Sequence, residues 1–86
     1  MEQCKYVITD ELGIHARPAG QLVQLAGKFA CELRLVNAQG EQCDLRQVFK
    51  VLSLGVRCGD QVTVVADGVD ESAACAALQA FLRENL

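Results

Sequence analysis

The sequence predicts an α+β fold in which helices cover one face of a small sheet and leave the other face to solvent. Two observations carry this. Four short stretches have strand-like character, while three others repeat small or apolar residues at helical spacing. Their order is strand, helix, strand, strand, helix, strand, helix, and 86 residues leave room for one domain. A chain of this size buries only about 60% of its unfolded surface, so any active site is expected on the surface.

Cys4 to Thr9 reads as the first strand, carrying Tyr6 and Val7. From Ala16 to Phe29, residues Ala16, Ala19, Leu22, Val23, Ala26 and Phe29 recur at the spacing of one helix face. Glu32 to Val36 alternates, with Leu33 and Leu35 on one side. Asn37 to Gly40 supplies a turn, and Glu41 to Leu45 returns as a hairpin partner. Gln47 to Leu54 is a short helix, closed by Gly55 where a left-handed residue often ends one. Gln61 to Ala66 is the clearest strand, with Val62, Val64 and Ala66 on one face. Asp70 reads as the N-cap of a last helix whose apolar stripe is Ala74, Leu78, Phe81 and Leu82. Periodicity leaves the strand order open.

Composition excludes several classes. The formal charge is −3 with no basic stripe, which argues against nucleic-acid binding. No run approaches the roughly 18 apolar residues of a membrane helix, and the opening MEQCK lacks the features of a secretory signal. A cytoplasmic location is therefore expected. The five cysteines, Cys4, Cys31, Cys43, Cys58 and Cys75, include no C-x-x-C pair and lie far in sequence from the single histidine. Neither a metal site nor a disulfide framework fits that spacing, and the cysteines read as small apolar residues in a reducing compartment.

One segment concentrates chemistry: Gly13-Ile14-His15-Ala16-Arg17-Pro18-Ala19. A lone histidine before a helix is ordinarily a cap or a surface residue. Here it precedes a first turn whose free amides and positive dipole end favour an anion. Pro18 costs little in that turn, because the amide it lacks would have no intrahelical partner. Arg17 adds a permanently charged fork suited to phosphate oxygens. Gly13 lets the chain turn sharply, so that the imidazole faces outward. A neutral imidazole beside such a turn can attack phosphorus, and both the helix terminus and Arg17 disfavour a positive ring.

This segment resembles the active-site motif of the HPr family, the histidine-containing phosphocarriers of the bacterial sugar phosphotransferase system. V-L-S-L-G at Val51 to Gly55, G-D-Q-V-T-V at Gly59 to Val64 and A-D-G-V-D-E at Ala66 to Glu71 are similar to that family's second half. The resemblance implies an open-faced sandwich, a four-stranded antiparallel sheet with three helices on one face, in the order βαββαβα. It implies that His15 accepts a phosphoryl group on Nδ1 from Enzyme I, charged by phosphoenolpyruvate, and passes it to IIA domains of sugar permeases. Ala16 and Arg17 would bind the phosphate. Gly20, Gln21, Gln24, Val48, Phe49 and Leu52 would dock the partners. Such a protein is a monomeric carrier of a phosphohistidine intermediate rather than a stand-alone catalyst, and it needs no cofactor and no metal.

Independently, a helix of about two turns cannot bury its whole circumference. Some of Val48, Phe49, Val51, Leu52 and Leu54 must therefore be exposed, which suggests docking. One departure narrows the reading. Many relatives of Gram-positive type carry a kinase-regulated serine at the start of the second helix, and the aligned residue here is Gln47, which has no hydroxyl. Lys50 also stands where the family often has glycine. The alternative is a regulatory or nitrogen-branch paralogue of the same fold, acting through protein binding rather than sugar transport.

Overall fold

A computed structural model describes residues 1–86. The elements are β1 (Glu2–Val7), α1 (Ala16–Ala26), β2 (Glu32–Val36), β3 (Gln42–Asp44), α2 (Val48–Ser53), β4 (Gln61–Asp67) and α3 (Glu71–Asn85). The four strands form one antiparallel sheet in the order β1-β4-β2-β3. β4 is thus internal, while β1 lies at an edge. Each crossover from one strand to the next non-adjacent one runs through a helix: α1 links β1 to β2 past β4, and α2 links β3 to β4 past β2.

Alternation decides which face is covered. Leu33 and Leu35 of β2 and Val62, Val64 and Ala66 of β4 are fully or almost fully buried. They pack with Ala19, Leu22 and Ala26 of α1, Val51 of α2, and Ala74, Leu78 and Leu82 of α3 in one cluster. The intervening residues Glu32, Arg34, Gln61 and Asp67 face solvent, as expected for a sheet covered on one side.

Several boundaries differ from the sequence expectation, and each has a local cause. β1 begins two residues early, since an edge strand tolerates the polar Glu2 and Gln3 opposite Ala66 and Val65. It ends at Val7 because, after Ile8 bonds to Asp60, the amides of Thr9 and Asp10 turn to the Leu86 carbonyl. α1 stops at Ala26 rather than Phe29: Lys28 and Phe29 donate to Leu25 and Ala26 in tighter turns, so Phe29 packs on the core without continuing the helix. β3 and α2 each lose a residue at both ends, whereas β4 gains Asp67. Gly55 has φ +65° immediately after the last residue of α2's cap, as its position suggested.

Asp70 occupies the N-cap position of α3 but makes no capping hydrogen bond. Its carboxylate instead accepts from the amides of Ala30 and Cys31 at 2.8 and 2.9 Å, pinning the α1–β2 connection to the start of α3. These bonds, led by that from Ala30, hold its carboxyl below the usual aspartate range. Arg46 holds the same connection as well, donating to the carbonyls of Phe29 and Cys31 at 2.6 and 2.9 Å.

The cysteines follow the apolar reading only in part. Cys31 and Cys75 are buried and Cys4 and Cys43 half-buried, but Cys58 is exposed. Burial pushes the Cys31 thiol up to about 11, with Asp70 adding to the shift.

Candidate functional site

His15 sits at the N-cap of α1 in extended backbone (φ −109°, ψ −179°), and its side chain makes no capping bond. The ring is thereby left for other partners, with the side chain 37% exposed. The preceding loop holds it there. Asp10 closes two turns at once: its carbonyl accepts from the Gly13 amide at 2.9 Å, and its Oδ1 from the Leu12 amide at 2.8 Å. Gly13 follows with φ +66°, pressed so closely on the loop after α2 that a Cβ would lie 2.2 Å from the Val56 carbonyl oxygen. Ile14 is buried and donates its amide to that same oxygen at 3.1 Å. Two loops thus grip the chain on either side of Gly13, and His15 is the next residue free of the grip.

The helix begins with the Ala19 amide bonding to the His15 carbonyl at 3.0 Å. Pro18 is buried in the first turn and has no amide to leave unpaired. The amides of Ala16 and Arg17 have no intramolecular acceptor. Arg17 is exposed and belongs to none of the molecule's ion pairs. The first turn therefore combines free donors, the positive end of an 11-residue helix and an unpaired guanidinium. No acidic residue lies in that turn to compete with an anion.

Sequence reading missed Asp10. Its second oxygen, Oδ2, lies 3.7 Å from His15 Nε2. A negative charge thus stands beside the ring, so the helix terminus and Arg17 are not the only charges acting on it. The signal was present in Asp10-Glu11-Leu12-Gly13, because an aspartate two residues before a backbone donor commonly closes such a turn.

Of the residues singled out for docking, Gln21 and Gln24 are exposed on α1, and Gly20 is half-buried with open space where a side chain would start. On α2, Val51 alone is buried. Val48 and Leu52 are half-buried, and Phe49 is 82% exposed. The two helices that carry these residues, α1 and α2, pack against each other. Gln47 is exposed at the N-cap of α2 and makes no side-chain capping bond.

Residues 2–84 match the family described as "PTS HPr component phosphorylation site". The chain belongs to the HPr family. It is similar to the phosphocarrier protein HPr of Mycoplasma genitalium, with 44% identity over 99% of this chain and 97% of that one. A solved histidine-containing phosphocarrier protein from Mycoplasma has the same fold at a TM-score of 0.92, with 29% identity over 96% of this chain and 93% of that one. The Bacillus subtilis protein Crh, described as a swapped-domain dimer, aligns at a TM-score of 0.78 and 32% identity, covering 100% and 98% of the two chains. The four-stranded antiparallel sheet with three helices is the HPr arrangement, and the protein is an HPr-type phosphocarrier of the phosphotransferase system.

Proposed function

We propose that His15 accepts the phosphoryl group on Nδ1 from Enzyme I and passes it to IIA domains serving sugar uptake. The observation that carries this reading is the conjunction of a partly exposed imidazole with unpaired donors at the start of α1. The Nδ1 lone pair attacks phosphorus, the N–P bond forms, and the bond to the donor breaks in line with it. The amides of Ala16 and Arg17 and the Arg17 guanidinium take up the phosphoryl oxygens. Nδ1 is favoured because Nε2 is the nitrogen nearer Asp10. The Asp10 carboxylate, 3.7 Å from Nε2, stands beside the ring nitrogen that does not carry the phosphoryl group.

The partners dock on Gly20, Gln21 and Gln24 of α1 and on Val48, Phe49 and Leu52 of α2, with the Phe49 ring as the apolar anchor. The chain acts as one domain in the cytoplasm, as a monomer, and without a cofactor. No helix is long and apolar enough to cross a membrane.

A reconstituted relay tests the proposal. With phosphoenolpyruvate and catalytic Enzyme I, labelled phosphate should reach a IIA domain only when this protein is present, and His15→Ala should stop it. Normal transfer by the folded His15→Ala protein would reject the assignment.

A further inference from the structure

The sulfurs of Cys4 on β1 and Cys75 on α3 lie 3.2 Å apart, although 71 residues separate them in sequence. Phosphoryl transfer at His15 involves neither residue. Cys31, Cys43 and Cys58 are not hydrogen-bonded to any other thiol. Cys75 is buried at 4% exposure, and Cys4 is half-buried on the edge strand. The Cys4 thiol also donates to the Cys75 carbonyl at 3.6 Å, which keeps it over the same turn of α3. Reaching a disulfide bond length of about 2.05 Å requires an approach of only about 1.2 Å.

We propose that Cys4 and Cys75 are a redox-responsive pair that closes into an intramolecular disulfide when a low-molecular-weight disulfide such as oxidised glutathione accumulates. The half-buried Cys4 reacts first: its thiolate attacks one sulfur of the oxidant, forms a mixed disulfide and releases one thiolate, which takes up a proton. Cys75 then loses its proton and attacks the Cys4 sulfur, expelling the second thiolate. Two protein thiols give up two electrons and two protons, and one oxidant disulfide becomes two thiols. Burial, followed by the neighbouring Cys4, pushes the free Cys75 thiol up to about 12, which fits the order in which the two react.

The bond ties the edge strand to the last helix. The following segment of β1's chain and the end of α3 already meet where Thr9 and Asp10 donate to the Leu86 carbonyl. Closing so long a loop restricts the unfolded chain strongly. The thermal midpoint should rise by roughly 10–20 °C and fall back when a dithiol reductant is added.

The test is to equilibrate the native protein with oxidised glutathione and read intact mass, thiol count and a non-reducing peptide map. A loss of about 2 Da, with three of the five thiols still alkylated and a Cys4–Cys75 linked peptide, supports the proposal. A C58S background removes intermolecular coupling through the exposed thiol. C4S, at a half-exposed position, should abolish both the link and the midpoint rise without the risk to folding that a core substitution carries. Five alkylated thiols at unchanged mass, a glutathione adduct persisting on Cys4, or a link between other cysteines would overturn it.

Discussion

Phe49→Ala separates docking from packing in one variant. A phenylalanine side chain carries about 200 Å² of largely apolar surface. At 82% exposure Phe49 buries only ~36 Å² of that, worth about 0.9 kcal/mol at ~25 cal/mol per Å². Alanine returns roughly 0.5 kcal/mol through its higher helix propensity within α2. The net stability loss should therefore stay below about 0.5 kcal/mol, a midpoint shift of no more than ~3 °C. A core phenylalanine would instead cost about 3–5 kcal/mol. An aromatic anchor at an interface centre commonly costs ~2 kcal/mol when truncated, so affinity for Enzyme I should fall roughly thirtyfold. Calorimetric melting and isothermal titration of the same preparation read both quantities. Unchanged affinity would remove Phe49 from the docking face, and a stability loss of several kcal/mol would refute the packing argument.

The other predictions address the loop, the α1–β2 pin and regulation. Gly13→Ala should destabilise the fold by about 2–4 kcal/mol in denaturant titration, since a positive φ and a Cβ 2.2 Å from the Val56 carbonyl oxygen add together. Asp70→Asn should lower the thermal midpoint at neutral pH. Because the folded-state pKa of Asp70 is depressed, its stabilisation is complete above the ordinary aspartate value and is lost as pH falls through its own lower value; the gap between wild type and D70N should therefore close as pH falls from the ordinary aspartate value through that lower one. Gln47 offers no hydroxyl, so incubation with the serine kinase of Gram-positive relatives and ATP should leave no phosphoserine by mass spectrometry, and a modified serine anywhere in the chain would contradict this.

Fold class was legible because alternation in β4 and helical spacing in α1 each report which side of an element meets the core. The same pattern cannot report which strand lies beside which. Val62, Val64 and Ala66 would read identically at an edge or in the middle, so β4's internal place and β1's edge place emerged only from the pairing. Phe29 illustrates a second limit: it packs on the core at helical spacing after the helix has ended. The candidate site was legible where it is local. His15, Arg17 and Pro18 are set by one turn of backbone, and Gly13 announced the tight entry. Asp10 belongs to that site through a side chain that crosses the loop, and the contact of Val56 with Gly13 depends on a segment more than forty residues away. Asp70 shows the same effect in reverse, its cap position readable and its bonding partners not.

Where the phosphoryl group sits decides whether His15 carries the transfer. After incubation with Enzyme I and phosphoenolpyruvate, the protein should gain one phosphate, about 80 Da. That phosphate should be acid-labile and base-stable, and heteronuclear NMR of the single imidazole should assign it to Nδ1 of His15. His15→Ala, with an unchanged fold, should gain none. Phosphate on Nε2, on another residue, or undiminished in the His15→Ala protein would contradict the account.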